Sequence, residues 1–306
     1  MSNDICEEGG INMFRRLIIA TDLSAASNAL IHGLGGLRTL GAEECLLLQC
    51  LSSQETNPVA LPFATAVLER NLQSQKEILE HQGFKVETRI LPGVEKDEIN
   101  RIAVEEDFSI IVVGALKHTL TNDLFFSGLA YNLIHHANKP VLIVRLEAHP
   151  TEGFVCLNPI GIERENPVLF PTDFSDNSET AFKYIEKMVM GGLKKVILFH
   201  VMNKAKIKPE LEEWLPEFNE ADNQRLKNIK NTLLKIGNAE IETLIRYGMP
   251  ADEIFKLIEE RNPQLVVMGS QGRGFVKEIF LGSVSHDVAR HSSASVLLIP
   301  AKRGGE

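Results

Sequence analysis

The sequence predicts an α/β protein of two tandem domains, each a doubly wound parallel sheet of five strands with helices on both faces. The chain of 306 residues is about twice the usual length of a domain. A Thr-Asp-x-Ser segment occurs at 21–24 and again at 172–175, which indicates an internal repeat. In both halves the candidate strands are short runs of Val, Ile and Leu, as expected of strands that helices cover on both faces.

The repeat extends over nearly the whole of each half. Gly93 with the Asp-Glu-Ile that begins at Asp97 matches Gly248 with the same tripeptide beginning at Asp252. The apolar runs 111–114 and 266–269 also correspond, and so do 140–144 and 295–299. From this alignment we predict domains over 13–147 and 167–302, after a flexible tail over 1–12. Residues 148–166 are the predicted linker, because Pro and Gly occur there without a helical period.

The second half shows the order of the elements most clearly. Its predicted strands are 168–171, 195–202, 241–246, 265–268 and 296–299. Its predicted helices are about 175–190, a long helix that ends near 236, about 251–260, and 283–291. Helices between consecutive parallel strands form right-handed crossovers and therefore cover the sheet.

Composition limits the classes of function. The net charge of -9 has no compensating basic run longer than Lys194-Lys195, so we expect neither nucleic acid nor a membrane surface as a partner. The acidic first twelve residues do not resemble a secretory signal, and no apolar run approaches the roughly 20 residues of a membrane span. Four cysteines without a CxxC pair suit reduced thiols, and a cytoplasmic location is expected.

Ligands of open parallel sheets bind beyond the carboxyl ends of the strands. In the second half these ends hold Thr172-Asp173, His200-Val201 and a glycine-rich loop over 269–274. Glycines allow positive φ and a close approach of the backbone to a ligand. The helix predicted to begin at Ser283 adds free N–H groups and the positive end of its dipole. A phosphate group is therefore the predicted ligand of this edge.

The glycine spacing resembles the signature of the ATP-binding branch of the universal stress protein family. Gly269, Gly272, Gly282 and Ser283 follow its pattern of Gly, two residues, Gly, nine residues, Gly, then Ser or Thr. The start of the half at 171–173 is also similar to the family's first strand, and the resemblance covers both halves. It implies an adenine nucleotide alpha hydrolase-like fold. It also implies ATP, ADP or AMP as the ligand, with Mg²⁺ carried through the phosphates.

By this resemblance, Val201 would offer backbone hydrogen bonds to adenine, and Asp173 would lie near the base and the ribose. The phosphates would lie against the glycine loop and the start of the following helix. Each residue also has a structural alternative, with Ser283 as a helix N-cap, Asp173 as an acid at a helix start and Val201 as core. The implied site residues are Pro171, Thr172, Asp173, Val201, Met268, Gly269, Gln271, Gly272, Gly282, Ser283, Val284 and Ser285.

The first half departs from this pattern after Gly114. The residues that replace the remaining loop positions are Lys117 for Gly272, Ser127 for Gly282, Gly128 for Ser283 and Ala130 for Ser285. A side chain at Lys117 removes a place where the backbone can approach phosphate, although a lysine could also neutralise one. We expect this copy to bind nucleotide weakly or not at all and to keep its fold for pairing.

Family domains commonly pair through their fifth strands, which implies that 141–144 lies antiparallel to 296–299 within the chain. A homodimer of two chains is left open. The leading hypothesis is a nucleotide-dependent stress regulator with an unidentified protein partner. The alternatives are a slow ATPase, for which the loop offers only Arg273, Lys277 and Glu278, and a ligand-free interaction module. The remaining candidates for chemistry are interpreted as solvated helix histidines: His135, His136, His286 and His291.

Overall fold

The computed structural model describes residues 13–51, 61–92, 95–116, 133–162, 165–203, 213–272 and 281–301. In the first half the strands are β1 Arg16–Ala20, β2 Glu44–Leu51, β3 Lys85–Pro92, β4 Ile110–Leu116 and β5 Val141–His149. The α-helices are α1 Ala25–His32, α2 Leu61–His81 and α3 Glu95–Glu105, with a 3-10 helix over Gly35–Leu40. Residues 133–136 are also helical.

The second half repeats the same alternation. A short strand, β6 Gly153–Cys156, lies between the halves. The strands that follow are β7 Val168–Pro171, β8 Lys195–Met202, β9 Glu240–Tyr247, β10 Leu265–Gly269 and β11 Ser295–Ile299. The helices are α4 Asp176–Met190, α5 Leu215–Ile236, α6 Pro250–Arg261 and α7 Ser283–His291. Across the described residues, no helix is long and apolar enough to cross a membrane.

The strand order is the same in both halves. It is β3-β2-β1-β4-β5 in the first and β9-β8-β7-β10-β11 in the second, with parallel pairing throughout each half. This confirms the doubly wound α/β fold. The order reverses beside the first strand of each half, so the carboxyl ends of β7, β8 and β10 face a common crevice.

The two sheets join into one. Strand β5 pairs antiparallel with β11, and Leu142 lies opposite Leu297 at the centre of the register. The pairing expected between the fifth strands is therefore present, and it makes the two five-stranded sheets continuous. Because each of these strands is the edge of its own sheet, the contact also covers two apolar edges that would otherwise be open to association.

The apolar strands are explained by a core on each face of the sheet. Successive residues of β1 alternate between the two: Leu17 and Ile19 pack in one core, and Ile18 packs in the other. Both cores draw residues from both halves. A strand that contributes to two cores has no solvent-facing side, which accounts for the unbroken Val, Ile and Leu runs.

The segment between the halves contains a strand that the sequence analysis did not predict. β5 continues to His149, and β6 folds back to pair antiparallel with it. Further along, the Gly161 N–H donates to Gln264 Oε1 at 2.9 Å, and the Ile162 N–H donates to Thr39 Oγ1 at 3.0 Å. The predicted linker therefore contains part of a hairpin and makes hydrogen bonds to both halves.

Candidate functional site

A cavity of about 720 Å³ lies at the carboxyl ends of β7, β8 and β10. All twelve site residues implied by the resemblance line it. They come from distant parts of the half: the end of β7, the end of β8, the glycine loop and the start of α7. The topology therefore brings the predicted residues together at the edge where open parallel sheets bind ligands.

The β7–α4 turn forms one wall. The Thr172 hydroxyl accepts from the Phe174 N–H at 3.0 Å, and Asp173 Oδ1 accepts from the Ser175 N–H at 3.1 Å. Ser175 then caps α4 by accepting from the Ser178 N–H. Phe174 has a φ of 59°, an uncommon value for a residue with a side chain, so these hydrogen bonds define the turn.

The first half contains the same turn. Leu23 also has a φ of 59°, and the Thr21 hydroxyl and the Asp22 carboxylate accept from the N–H groups of Leu23 and Ser24. The repeated Thr-Asp-x-Ser segment thus encodes a local backbone structure. The structural alternative for Asp173, an acid at a helix start, is therefore correct for its Oδ1 atom.

Two of the loop glycines are needed for close packing inside the protein. A Cβ atom at Gly269 would lie 2.6 Å from Asn177 Oδ1, and one at Gly272 would lie 2.6 Å from Asp173 Oδ2. Asn177 is buried, accepts from the Gln271 N–H at 2.8 Å and donates to the Ile299 carbonyl at 3.2 Å. These glycines let the loop reach Asn177 and Asp173.

The described loop glycines do not use the positive φ that glycine allows. Among the described residues, the glycines with positive φ are Gly41, Gly83, Gly153, Gly192 and Gly248, and none of them belongs to the loop. Gly282 has φ -70° and ψ 154°, which any residue can adopt. A Cβ atom there would meet its nearest neighbours at 3.6 Å, an ordinary contact. Spacing alone did not distinguish glycine required by packing from glycine required by backbone conformation.

The start of α7 differs in detail from the prediction. Gly282 is the N-cap, so Ser283 is the first helical residue and is not the cap. The Ser285 hydroxyl donates to the Gly269 carbonyl at 2.9 Å, which ties the helix to β10. The first intrahelical bond runs from the His286 N–H to the Gly282 carbonyl. The three N–H groups before it, at 283–285, are those that helix geometry leaves for an external acceptor.

The remaining predicted residues form the apolar side. Met268 is buried at 6% exposure, Pro171 is buried, and Val201 is partly buried against the core. Val201 is thus partly exposed, and it lines the cavity at the end of β8.

The sequence reasoning missed the wall formed by α5. The cavity is lined by residues of this helix and by His200 of β8. The helix residues are Phe218, Ala221, Asp222 and Arg225. The signal available in the sequence was the helical spacing, which places Asp222 on the same face of α5 as Leu226 and Leu233. An acidic residue within an otherwise apolar stripe of an amphipathic helix is unusual and indicates a buried partner.

The histidines are only partly as expected. His136 and His291 are exposed. His135 and His286 are each half-buried, and their ring centroids lie 5.6 Å apart, one from each half of the chain. Burial, together with the neighbouring His286 and His136, lowers the pKa of His135. The interpretation as solvated helix residues is therefore wrong for this pair.

Several residues of interest lie outside the described ranges. These are Arg273, Lys277 and Glu278 of the second half, and Lys117, Ser127, Gly128 and Ala130 of the first. Among the residues that are described, no cluster of three or more His, Cys, Asp or Glu side chains could hold a metal ion.

Comparisons with known proteins agree with this architecture. The family model "Universal stress protein family" matches residues 13–145 and again 166–300. The chain is 32% identical to universal stress protein MJ0577 of Methanocaldococcus jannaschii over 154 residues, which cover 44% of this chain and 94% of that protein. The chain therefore belongs to the universal stress protein family, and it contains two copies of the family domain in tandem.

Solved structures show the same fold at full length. A universal stress protein from Archaeoglobus fulgidus covers 93% of this chain and 98% of its own, with a TM-score of 0.72 and 22% identity. Another universal stress protein was solved in complex with cAMP; it matches 44% of this chain and 98% of its own at 18% identity and a TM-score of 0.34. That likeness is too remote to transfer its ligand to this chain.

Proposed function

We propose that the second half binds one adenine nucleotide in the cavity, and that the chain acts as a nucleotide-dependent stress regulator. The observation that supports this most strongly is the gathering of all twelve implied residues around one cavity. A volume of about 720 Å³ lies within the range of roughly 300–1,000 Å³ typical of small-molecule sites.

The phosphate end of the proposed site is the start of α7. The N–H groups at 283–285 and the positive end of the helix dipole favour an anion there. At the described start of the loop, Gly272 packs against the Asp173 side chain. The proposed ligand is ATP, ADP or AMP, with Mg²⁺ carried through the phosphates.

The base end of the proposed site is the apolar side of the cavity. Val201 lines this side and would offer backbone hydrogen bonds to adenine. Asp173 would lie near the base and the ribose, and Met268 and Gly269 would lie beside the ribose.

The proposed regulatory role rests on the contacts that α7 makes with the first half. The helix that begins at the proposed phosphate site also reaches the first half, where the Ala289 carbonyl accepts from Arg145 Nη2 and the His286 ring meets His135. A ligand that binds one end of α7 therefore acts on an element shared with the first half. The protein partner that would read this change is not identified by the site.

The proposal is tested on the purified protein. Mass spectrometry of nucleotide released by heat denaturation identifies any ligand that is carried through purification. Calorimetric titration of the emptied protein with ATP, ADP and AMP then gives affinity and stoichiometry, with GTP as the control for the base. We expect adenine nucleotides to bind at least about tenfold more tightly than GTP, since a base site with specific hydrogen bonds discriminates by one or more kcal/mol. Absence of binding by all four would refute the proposal.

A further inference from the structure

The first part of α5 is a cavity wall with little apolar anchoring. Of residues 215–225, Asp222 is the one that is buried. The apolar residues that pack this helix onto the core, Leu226 and Leu233, lie further along it. The wall beside the cavity therefore depends on polar contacts, and Asp222 makes the central one.

His200 links Asp222 to the sheet. Its Nδ1 atom lies 2.8 Å from the Thr172 carbonyl oxygen, and its Nε2 atom lies 3.3 Å from Asp222 Oδ2. A carbonyl oxygen only accepts, so Nδ1 carries a proton. A carboxylate also accepts, so the second contact is a hydrogen bond only when a further proton lies between Nε2 and Oδ2. The side chains of His200 and Asp222 are nearly buried, at 8% and 12% exposure. Two buried acceptor atoms that face each other without a hydrogen between them would be energetically costly.

Arg225 and Phe174 complete the arrangement. Arg225 Nη1 donates to Asp222 Oδ1 at 3.0 Å, and its guanidinium lies 5.3 Å from the centroid of the Phe174 ring. The Phe174 ring in turn lies 4.7 Å from the His200 ring. Phe174 follows Asp173 directly, so the cluster joins α5 to the turn that carries the proposed ribose-binding residue.

In the described part of the first half, the equivalent positions hold different residues. The repeat places Gln49 at the position of His200, and the buried stripe of α2 places Leu68 at the position of Asp222, since Leu72 and Leu79 match Leu226 and Leu233. The Thr21 hydroxyl there donates to Gln75 Oε1 at 3.0 Å, and Gln75 Nε2 donates to Asn28 Oδ1 at 2.7 Å. A neutral amide network thus takes the place of the charged one.

We propose that His200 and Asp222 are positioning residues of the second-half cavity, and that their contact latches the start of α5 beside the bound nucleotide. The inference rests on the proposed function, and it adds a determinant of how long the ligand is retained. Neither residue needs to touch the nucleotide. Each residue acts by holding the α5 wall and the Asp173 turn in place. We expect the effect on the dissociation rate, because the wall must open before the nucleotide can leave.

The test compares Asp222→Ala, Asp222→Asn and the control Glu220→Ala in the full chain. Glu220 is an exposed acid two residues from Asp222 on the same helix. The probe is a fluorescent ADP analogue, and association and dissociation are measured separately by stopped flow. We expect Asp222→Ala to raise the dissociation rate roughly tenfold or more, because it removes hydrogen bonds to a charged group that hold the wall, while association changes little. Glu220→Ala should match the parent.

Asp222→Asn supplies the conservative rescue. The asparagine amide can donate to the Nε2 lone pair of a neutral ring, so dissociation should return to within about threefold of the parent. A parent-like dissociation rate in Asp222→Ala, or a dissociation rate in Asp222→Asn as fast as that of Asp222→Ala, would overturn the inference.

A separate measurement distinguishes failure of the latch from failure of the proposed function. In the nucleotide-free protein, hydrogen exchange over 215–225 should be faster in Asp222→Ala than in the parent and unchanged in Glu220→Ala. If no nucleotide binds any variant but this exchange difference is present, the proposed function fails and the latch as a wall anchor stands. If exchange is the same in all three, the latch is wrong.

Discussion

At the residue scale, the contact between Gly272 and Asp173 connects the glycine loop to the β7–α4 turn. The distance of 2.6 Å from a Cβ atom at residue 272 to Asp173 Oδ2 leaves no room for a side chain. Because the obstacle is the end of a side chain, Asp173 has to move while the backbone remains in place. The position of the Asp173 side chain therefore depends on glycine at residue 272.

Gly272→Ala should weaken adenine nucleotide binding by roughly tenfold or more while leaving the fold intact, because it displaces Asp173 from the cavity wall. Calorimetric titration measures the loss, and circular dichroism checks the fold. A double-mutant cycle with Asp173→Ala identifies the cause. If Gly272→Ala acts through Asp173, it should cost little more in the Asp173→Ala background; fully additive losses would contradict this explanation.

The first helical position of α7 allows a backbone N–H to be removed without disturbing the helix. Proline is well tolerated at this position, and Gly282 before it already has the extended conformation that a following proline requires. Ser283→Ala removes only an exposed hydroxyl, and Ser283→Pro removes the hydroxyl and the N–H together.

We expect Ser283→Ala to lose about 0.5–1.5 kcal/mol of nucleotide affinity, and Ser283→Pro to lose about 1 kcal/mol more, since a phosphate would lose a backbone donor. Thermal midpoints of the two variants should agree within a few degrees. Calorimetry at one salt concentration provides the comparison. Equal affinities for Ala and Pro at residue 283 would show that this N–H does not face the ligand.

At the scale of elements, the segment between the halves packs as closely as a core. A Cβ atom at Gly36, in the 3-10 helix, would lie 1.7 Å from the Ile160 carbonyl oxygen. The neighbouring Gly35 would place its Cβ atom 3.4 Å from the Gln82 side chain, which can move. The two adjacent glycines thus provide a matched pair.

Gly36→Ala should lower the free energy of unfolding by about 1–3 kcal/mol or more, because backbone has to shift to relieve the overlap. Gly35→Ala should change it by less than about 1 kcal/mol. Urea denaturation of both variants measures the difference. Equal stabilities of Gly36→Ala and Gly35→Ala would mean that the backbone at Ile160 can move at little cost, which would contradict the close packing described here.

The elements that the sequence predicted correctly are those with a strong periodic signal. Buried runs such as 265–268 and 296–299 predicted strands that the structure contains, and the repeat predicted the common order of both halves. β6 was missed because its four residues are only partly buried or exposed, so no apolar run marks it. In the site, the glycine pattern identified the loop, whereas Asp222 was missed because its partner, His200, is distant in sequence.

At the scale of the whole molecule, the interface between the halves contains ionisable groups. Arg145 of β5 is fully buried, and burial lowers the pKa of its guanidinium to about 9, so it remains charged at neutral pH. His135 meets His286 across the interface, with His136 and Asp287 nearby. We therefore expect the stability of this interface to depend on pH.

Acidification should destabilise this interface. The pKa of His135 is lowered from its ordinary value of 6.5, so the unfolded chain binds this proton more readily than the folded one. The contribution of His135 to stability is complete above pH 6.5 and is lost as the pH falls from there through the lowered value. His135→Gln should show a smaller decrease in thermal midpoint between about pH 7 and 5 than the parent. An identical decrease in both would contradict the assignment.

The two halves of the molecule differ at the positions proposed to hold the ligand: the second half keeps the glycine pattern, His200 and Asp222, and the first half has other residues at the equivalent positions. Native mass spectrometry of the intact chain, titrated with ATP or AMP, counts the ligands on each molecule directly. We expect one adenine nucleotide per chain at saturation, and we expect Gly272→Ala to weaken this single binding event. Two nucleotides of similar affinity per chain, or one nucleotide whose binding is unaffected by Gly272→Ala, would contradict it.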